Sequence, residues 1–399
     1  MNTPKIRFKG FTDDWEQRKL GDVFKEYSEK HHEELPALTI VQGGGTILRE
    51  ESDRSLQYDK SNLSGYKMVK KDDFIVHLRS FEGGLEKANS DGIISPAYHT
   101  MHGDNVDSRF YYPYFRSYDF INRKLVAHVY GIRDGRSIDI DGMKSIEIPY
   151  TSYEEQKTIG DYLDSLDYLI TLHQRKCDET KQLKKFMLQK MFPKNGEKNP
   201  KIRFEGFTDD WEQRKFSELV TIERGGSPRP IDRFITKEEN GLNWIKIGDA
   251  PEQGNYITKT EEKIKPEGLS KTREVHPGDL ILSNSMSFGR PYILAIDGCI
   301  HDGWLAIRDT EKRFDLKFLC TLLGTDNMLS QYKAMAAGST VNNLNKELVG
   351  ATTVSYPVMD EQVKLGEFFD GIDHLITLHQ RKCEKLKALK KFMLQNMFI

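Results

Sequence analysis

Residues 154–192 read E-E-Q-K-T-I-G-D-Y-L-D-S-L-D-Y-L-I-T-L-H-Q-R-K-C-D-E-T-K-Q-L-K-K-F-M-L-Q-K-M-F, and most of this stretch returns at residues 360–398. The two copies are identical at 24 of 39 positions, and the unbroken run L-I-T-L-H-Q-R-K-C occurs at 169–177 and again at 375–383. A match of that length indicates an internal duplication, around which the rest of the chain is organised.

Each copy carries a stripe of mostly apolar residues at alternating spacings of three and four. Such a stripe over about four heptads is typical of long helices that bury a narrow seam against each other. We predict one helix over 155–191, with a capping box formed by Ser152 and Glu155, and a second helix with Asp360 as its N-cap. The predicted seams are Ile159, Leu163, Leu166, Ile170, His173, Cys177, Thr180 and Met187 in the first copy, and Leu365, Phe369, Ile372, Ile376, His379, Cys383, Leu386 and Met393 in the second.

A second repeat begins near the start of the chain. P-K-I-R-F-K-G-F-T-D-D-W-E-Q-R-K-L at residues 4–20 returns, with two differences, at residues 200–216. The polar segment 193–199, P-K-N-G-E-K-N, has the composition of a linker. Each half therefore contains a short repeat, a variable region and a long helix, and this order predicts that the two chain termini lie close together.

The variable regions align at a constant offset of 206 in their later parts. Residues 69–76 and 275–282 each predict a tight turn followed by a strand, whereas 109–129 and 315–335 are predicted to be largely helical. Residues 146–149 and 352–354 predict short strands that lead into the long helices. We infer two divergent copies of one mixed α/β fold, the second with ten additional residues between Ser217 and Val275.

Composition limits the class of protein. The chain has 399 residues, 30% of them charged, and a formal net charge of −2, so DNA binding cannot be argued from overall charge. Four cysteines in a chain of this length do not form a disulfide framework, and no apolar run approaches the ~18 residues of a membrane span. These features predict a cytoplasmic protein.

The sequence offers no recognisable catalytic centre. It lacks the G-x-x-x-x-G-K-[ST] phosphate loop, and the glycines at 43–45 and 225–226 have the spacing of loop turns. Asp72 and Asp73 are expected to be turn residues, and His173 and His379 to be packed, hydrogen-bonded residues of the seam. We predict no catalytic residue and no bound metal.

Repetition also extends to positions outside the seam, where packing alone does not require it. This favours one kind of partner bound twice, although a recent duplication that has not yet diverged is the alternative. The candidate partner-binding residues are Trp15, Arg18, Gln174 and Arg175, with their copies Trp211, Arg214, Gln380 and Arg381.

The variable regions differ in their polar loops, as two domains with different targets would. The candidate loops are 79–87 and 131–137 in the first region, and 224–229, 284–290 and 338–343 in the second. Arginine can bind guanine, and asparagine can bind adenine, through two hydrogen bonds in the major groove, while other basic residues hold phosphates. The candidate DNA-binding residues are Arg79, Lys87, Arg133, Arg136, Arg224, Ser227, Arg229, Asn284, Arg290, Asn342 and Asn343.

Taken in this order, the motifs resemble the specificity subunit of type I restriction-modification enzymes over essentially the whole chain. The resemblance rests on the E-Q pair at 155–156 and 361–362, the repeated L-I-T-L-H-Q-R-K, the K-K-F-M-L-Q-x-M-F endings and W-I-K-I-G-D at 244–249. The family's P-x-x-x-E-Q spacing occurs at 357–362, but the first helix has its proline two residues further back, at Pro149.

The resemblance implies two target-recognition domains related by pseudo-two-fold symmetry, separated by two long antiparallel helices that form a coiled coil. The implied boundaries are 1–153 for the first domain, 154–199 for the central helix and linker, 200–359 for the second domain and 360–399 for the C-terminal helix. Each domain would read one half of a bipartite, asymmetric site in double-stranded DNA.

The implied partners are two methyltransferase subunits and two restriction/translocase subunits. No cofactor is expected in this chain, because S-adenosylmethionine, ATP and magnesium would be bound by the partner subunits. Two other hypotheses remain open at this point: a coiled-coil scaffold that presents two protein-binding domains and never contacts DNA, and an enzyme with an unfamiliar active site.

Overall fold

The computed structural model describes residues 4–52, 60–76, 85–131, 137–194, 196–284, 289–336 and 344–398. Within these residues the chain forms two compact units. Unit 1 comprises Met1–Leu172 and Cys383–Ile399, and unit 2 comprises His173–Lys382. Each unit therefore contains one variable region together with part of both long helices, a grouping that differs from the boundaries drawn from the sequence.

The first half of the chain alternates short strands with short helices before one long helix. Its strands are β1 (Glu16–Lys19), β2 (Lys25–Tyr27), β3 (Leu38–Val41), β4 (Gly45–Leu48), β5 (Lys67–Val69), β6 (Phe74–Val76), β7 (Leu85–Lys87), β8 (Gly92–Ile94), β9 (His99–His102), β10 (Val129–Tyr130), β11 (Ser137–Ile138) and β12 (Glu147–Tyr150). Its helices are α1 (Leu20–Val23), α2 (Ser108–Phe115), α3 (Ile140–Lys144) and α4 (Tyr153–Met191).

The second half repeats this order with larger sheets. Its strands are β13 (Glu212–Lys215), β14 (Thr221–Arg224), β15 (Ile235–Thr236), β16 (Leu242–Ile245), β17 (Tyr256–Ile257), β18 (Glu262–Ile264), β19 (Arg273–Val275), β20 (Leu280–Ser283), β21 (Pro291–Leu294), β22 (Gly298–Ile300), β23 (Trp304–Arg308) and β24 (Thr353–Tyr356). Its helices are α5 (Leu316–Leu323), α6 (Asp326–Ala336), α7 (Lys346–Gly350) and α8 (Met359–Met397).

The sheets are mostly antiparallel. In unit 1 the described strands form a four-stranded sheet in the order β2-β9-β6-β7 and the pairs β1-β12, β3-β4, β5-β8 and β10-β11. In unit 2 they form two five-stranded sheets, β14-β23-β20-β21-β17 and β15-β18-β16-β22-β19, and the pair β13-β24. The pairs β16-β22 and β17-β21 are parallel. The mixed α/β class predicted from the sequence is confirmed.

Most of the predicted elements are present in the described residues. The turn-strand segments predicted near residues 69 and 275 are β5-turn-β6 and β19-turn-β20, and the short strands before the long helices are β12 and β24. The helical prediction for 109–129 corresponds to α2 and two shorter helical segments up to His128, and that for 315–335 to α5 and α6. Gly324 is the C-cap of α5 and separates it from α6.

The constant offset of 206 fails at α2 and α5, which start 208 residues apart. The N-caps explain this difference. Asp107 caps α2 by accepting a hydrogen bond from the backbone of Arg109, and Asp315 caps α5 by accepting one from Phe318. The cap residue therefore fixes where each helix begins, and the offset returns to 206 at α3 and α7.

The two long helices begin slightly earlier than predicted, and each has 39 residues. Ser152 accepts a hydrogen bond from the Glu155 backbone, but the Glu155 side chain points to other partners, so only half of the predicted capping box forms. Asp360 lies inside the first turn of α8 and is not its N-cap. At about 1.5 Å per residue, each helix is roughly 58 Å long.

Most of the predicted seam is buried: Ile159, Leu163, Leu166 and Cys177 on α4, and Leu365, Phe369, Ile372, Ile376 and Cys383 on α8, are each only a few per cent exposed. Ile170 and the two histidines are half-buried. In unit 1, Asp167 pairs with Lys390 of α8, and the Cys383 thiol lies 3.9 Å from the Ile170 carbonyl oxygen. In unit 2, Lys184 pairs with Asp373 of α8. Within each unit, residues that come later in α4 contact residues that come earlier in α8, as expected of antiparallel helices.

The seam histidines meet in unit 2. The Nδ1 atoms of His173 and His379 are 3.0 Å apart, which confirms the predicted packed and hydrogen-bonded histidines. Burial lowers the pKa of His173, and the nearby charges of His379, Lys382 and Lys176 lower this pKa further.

Candidate nucleic-acid interface

The E-Q pair at the start of each long helix anchors the variable region of its unit. Glu155, fully buried, accepts hydrogen bonds from the Arg7 guanidinium at 2.6 and 2.8 Å and from the Trp15 indole at 3.0 Å. Burial alone would raise the pKa of Glu155, but hydrogen bonds from Arg7, Thr151 and Trp15 outweigh this effect and lower the pKa. The short repeat and the long helix are thus two parts of one joint.

Unit 2 contains an equivalent joint, in which the Trp211 indole N–H has no hydrogen-bond partner among the described residues. Arg203 donates to Glu361 at 2.7 and 2.8 Å, and both glutamate and arginine are largely buried. The glutamine that follows each of these glutamates makes an equivalent hydrogen bond in both units. The side-chain oxygen of Gln156 accepts from the Asp107 backbone N–H at 3.0 Å. The side-chain oxygen of Gln362 accepts from the Asp315 backbone N–H at 3.1 Å. Both glutamines therefore fix the helix N-cap of the adjoining domain to the start of the long helix.

This joint corrects part of the predicted partner surface. The side chains of Trp15 and Trp211 are 2% and 3% exposed, so they pack inside their units and present no face to a partner. Trp15 contacts Phe110 and Phe398, whereas Trp211 contacts Phe192 and Phe318. Their repetition is required by internal packing.

The other predicted partner residues lie at the surface. Arg18 is bound to Glu16 and stacks on the Tyr150 ring at 3.7 Å, and Arg214 is bound to Glu212. Gln174 and Arg175 are exposed on α4, where they bind Asp178 and Glu179. On α8, Arg381 is exposed and Gln380 is half-buried.

The sequence also predicted that the two chain termini lie close together, and the described residues confirm this. The backbone N–H of Ile6 donates to the Asn396 carbonyl at 3.0 Å in unit 1. The equivalent bond in unit 2 joins Ile202 to Lys190 at 2.9 Å. Phe398 and Phe192 each close an aromatic cluster beside this bond.

In unit 2 the described residues of loop 224–229 and the first residue of loop 284–290 lie at one turn. Strands β14 and β20 both pair with β23, and their register places Arg224 opposite Leu305 and Ser283 opposite Trp304. The residues that follow β14 and β20 therefore meet at the β22–β23 turn. We call Arg224, Ser227, Arg229, Asn284, His301 and Asp302 the Asp302 cluster.

Asp302 binds the other members of the cluster. Its carbonyl oxygen accepts from Asn284 at 2.8 Å and from Arg224 at 3.3 Å. Its carboxylate accepts from the Ser227 hydroxyl at 2.9 Å and lies 3.8 Å from the Arg229 guanidinium. The loops that carry these residues are therefore fixed to one turn of the sheet.

His301 completes the cluster with a defined tautomer. The Gly303 backbone N–H donates to Nδ1 of His301, so the neutral ring carries its proton on Nε2, which lies 2.9 Å from the Asp302 carboxylate. Sequence analysis did not identify His301 or Asp302, although the H-D-G turn between two apolar strands was a usable signal.

The members of the Asp302 cluster differ in their access to solvent. The Arg229 side chain is 83% exposed, and Arg224 is also exposed, so both can reach a ligand. Asn284 is 4% exposed and its amide donates to Asp302, which argues against the prediction that Asn284 reads a base. This hydrogen bond joins the end of β20 to the β22–β23 turn.

Arg290 and Lys87 are also engaged inside the protein. Arg290 donates to the carbonyl oxygens of Glu252 and Gly254 and stacks on Tyr292. Lys87 is 18% exposed and binds Asp72 at 2.9 Å. Both side chains stabilise their own domain, which leaves them poorly placed to contact DNA. The remaining candidates, Arg79, Arg133, Arg136, Asn342 and Asn343, lie outside the described residues.

The glycine run at 43–45 is a turn, as predicted. Gly43 and Gly45 have φ of 73°, and their N–H groups donate to the buried carboxylate of Glu86. Glu86 also accepts from Tyr112 and Arg116, so its charge is compensated inside the domain. Asp73 likewise accepts from the Lys70 backbone in the turn before β6.

Two properties of the described residues bear on other functions. Among them, no group of three or more histidine, cysteine, aspartate or glutamate side chains is arranged to hold a metal ion. No helix in the same part of the chain is both long and apolar enough to cross a membrane.

Comparison with known proteins identifies the family. The model of the type I restriction modification DNA specificity domain matches residues 12–182 and again residues 208–388. This chain belongs to the type I restriction-modification DNA specificity family. The two matches fall on the two halves that the internal repeats define, so each half is one copy of the specificity domain.

Individual relatives agree with this assignment. The chain is 25% identical over 276 residues to the type I restriction enzyme MjaVIII specificity subunit of Methanocaldococcus jannaschii, covering 64% of this chain and 62% of that relative. It is 23% identical over 425 residues to the putative type I restriction enzyme MjaX specificity subunit of the same organism, covering 98% of this chain and 95% of that protein.

A solved structure shares the fold of this specificity-family chain. The type I restriction-modification system S subunit from M. genitalium superposes with a TM-score of 0.63 at 17% identity, covering 100% of this chain and 99% of that one. At this level of identity the similarity concerns the fold.

Proposed function

We propose that the protein is the DNA-recognition subunit of a type I restriction-modification complex. Each globular domain reads one half of a bipartite, asymmetric site in double-stranded DNA, and the long helices set the distance between the two halves. In this role the chain carries no catalytic site and works in the cytoplasm. S-adenosylmethionine, ATP and magnesium belong to the partner subunits.

One observation carries the proposal: the two domains are joined to their long helices in a similar way, whereas their loops differ. The arginine–glutamate pairs at Glu155 and Glu361 have the same two hydrogen bonds at nearly the same distances. By contrast, the positions 206 residues before His301 and Asp302 hold Ser95 and Pro96, so the two side chains at the centre of the Asp302 cluster are not repeated at the aligned positions of the first domain. Two domains held by the same kind of ion pair but with different surface chemistry suit two different DNA half-sites.

The Asp302 cluster would contribute to the second half-site. An exposed guanidinium can pair with guanine or hold a phosphate, and carboxylate and hydroxyl oxygens can accept from the exocyclic amine of a base. Arg229 is the member best placed to do so, because its side chain is largely free of the surface. Arg224 is the second candidate.

Partner binding is proposed for the long helices. Unit 1 exposes the apolar side chains of Leu169, Leu389 and Phe392, and unit 2 exposes their repeat equivalents Leu375, Leu183 and Phe186, all between 38% and 52% exposed. We call each set an apolar triplet. Exposed apolar side chains on a helix are a common feature of protein–protein interfaces, and a triplet in each unit fits two methyltransferase subunits. Arg18, Gln174, Arg175 and their copies would lie at the polar rim.

The recognition proposal is tested by coexpressing the chain with its methyltransferase subunit and mapping methylated adenines across a genome. The expected result is one bipartite motif, in which substitution of Arg229 relaxes or weakens only one half. Methylation of a single continuous motif would contradict the proposal. A complex that assembles but neither binds nor methylates DNA would support the scaffold hypothesis instead.

The docking proposal has its own test, with a single-site variant in each unit. F392E changes the triplet of unit 1, and F186E changes that of unit 2. Each variant should bind one methyltransferase subunit instead of two, and the double variant none, as measured by light scattering after gel filtration. K385E, at an exposed position of the same helix, is the control. Unchanged stoichiometry in the double variant would show that the triplets are not the dock.

A further inference from the structure

The imidazoles of His173 and His379 lie opposite each other on the two long helices of unit 2. Their Nδ1 atoms are 3.0 Å apart, and the two rings are tilted by 37°. Both side chains are half-buried, so one edge of the pair is open to solvent. Between the two nitrogens there is room for one proton, or for one ion that replaces it.

The spacing of the nitrogens matches that of two imidazole ligands on one metal ion. Bonds of about 2.0–2.1 Å from a tetrahedral zinc ion to two imidazole nitrogens separate those nitrogens by roughly 3.3 Å. The observed 3.0 Å differs from this by a few tenths of an ångström, which small ring rotations can provide. We propose that His173 and His379 form a two-histidine site for a divalent transition-metal ion that clamps α4 to α8.

The surroundings limit which ion fits. Among the described residues, the hydrogen bonds and ion pairs give neither imidazole a carboxylate partner, so a hard cation such as calcium or magnesium finds no oxygen ligands there. Imidazole nitrogen suits zinc, copper and nickel. Lys176 and Lys382 lie close enough to influence His173 electrostatically, and their positive charges weaken the binding of a cation at this position.

The described residues supply no third protein ligand. Cys177 is one helical turn from His173, but its thiol lies 3.9 Å from the Ile376 carbonyl oxygen and packs in the seam. Water would therefore complete the coordination on the open side. Such a site binds more weakly than a closed structural zinc site, and it would respond to the concentration of free metal.

Metal binding at these two histidines would strengthen the contact between α4 and α8. A metal ion that binds both imidazoles links α4 to α8 within unit 2, at a level of the seam where the packing is polar. The hydrogen bond between the rings is one weak contact, whereas two metal-ligand bonds fix the separation of the helices. Metal binding would therefore stabilise unit 2 against unfolding, whatever the protein recognises.

The experiment uses the full chain, freed of metal by a chelator, in three single variants. H173Q and H379Q each remove one ligand, and H374Q removes an exposed histidine of the same helix as a control. Zinc chloride should raise the melting temperature of the wild type and of H374Q. This rise should be lost in H173Q and in H379Q, while circular dichroism verifies that the helices remain folded.

A second readout locates the ion, because histidines elsewhere, such as His102 beside Asp73 and Asp104, can also bind zinc. In the protein labelled with ¹⁵N-histidine, the Nδ1 resonances of His173 and His379 should shift together on zinc addition. If these two resonances stay unchanged while others shift, or if H173Q keeps the full rise in melting temperature, the metal site is refuted.

Discussion

Arg7 donates two hydrogen bonds to the carboxylate of Glu155, one from Nε at 2.6 Å and one from Nη2 at 2.8 Å. This pair connects the short repeat to the start of the first long helix. The side chains are 11% and 1% exposed, so water cannot replace either partner. The joint is therefore expected to control the stability of unit 1.

Substitution E155Q should destabilise unit 1 by about 3–5 kcal/mol, because it leaves the buried Arg7 charge without its counter-charge. Hydrogen-deuterium exchange at the amides of β1 and β12 should become faster, since these strands join the same segments. E154Q changes the exposed neighbouring residue and should have little effect. Equal exchange in the two variants would show that the joint is not structurally important.

The same pair predicts a dependence on pH. The pKa of Glu155 lies below the ordinary value of 4.5, so its contribution to stability is complete above about pH 4.5 and is lost as the pH falls through the lower pKa of the folded state. The stability difference between the wild type and E155Q should therefore be largest near neutral pH and shrink in acid. A difference that stays constant down to pH 3 would contradict this explanation, and denaturant titrations at several pH values measure it.

Two members of the Asp302 cluster should behave in opposite ways. N284A removes a buried amide that donates to the Asp302 carbonyl, and it should cost about 1–2 kcal/mol of unfolding free energy. R229A changes an exposed side chain and should alter stability by no more than ~0.5 kcal/mol, yet weaken DNA binding by the complex and reduce its dependence on salt.

R233A, at an exposed position in the following segment, is the control for charge alone. Thermal denaturation and salt-dependent DNA binding separate the two effects. Loss of DNA binding in N284A at full stability would return Asn284 to the list of contact residues.

The four cysteines should resist thiol reagents in the folded protein. All are buried and reduced, and burial raises the pKa of the Cys299 and Cys320 thiols to about 12. Because the thiolate is the reactive form, Ellman's reagent should react with these thiols only after unfolding. Q395C adds a thiol at an exposed position and should react at once. Rapid reaction of the wild type would show that at least one of the four buried thiols becomes accessible in the folded protein, which would contradict the prediction.

The helix pair predicts the effect of changing one helix alone. A seven-residue insertion after Leu172 would put α4 out of register with α8, so that pairs such as Asp167–Lys390 and Lys184–Asp373 could not form together. We expect this variant to assemble poorly. A matched insertion after Lys382 should restore assembly and lengthen the gap between methylated half-sites. An unchanged gap in the double-insertion variant would refute the role of the helices as a spacer.

The sequence predicted those parts of the fold that depend on periodicity and repetition. The seam from Ile159 to Cys177 and the turns before β6 and β20 are local patterns, and the structure confirms them. The two-residue shift between α2 and α5 was not visible, because it depends on which aspartate caps the helix and binds Gln156 or Gln362.

Site residues were harder to predict, because their roles depend on contacts between distant segments. Trp15 and Trp211 looked like surface residues because their neighbours are charged, yet each ring packs against a phenylalanine about a hundred residues away. Asn284 looked like a base reader because its loop is polar, but the turn at Asp302 binds its amide. His301 and Asp302 acquire their role only when β14, β20 and β23 are paired.

The bond from Ile6 to Asn396 differs from its equivalent in one respect that concerns mechanical load. Ile202 and Lys190 are also connected through the short peptide between them, whereas Ile6 and Asn396 are joined by non-covalent contacts, namely the hydrogen bond, the aromatic packing of Phe398 and the apolar cluster that contains Met397. If an optical trap pulled this chain by its two ends, the tension would first separate the last turns of α8 from the short repeat. Unit 1 would unfold before unit 2, although the two hydrogen bonds join equivalent positions of the repeats.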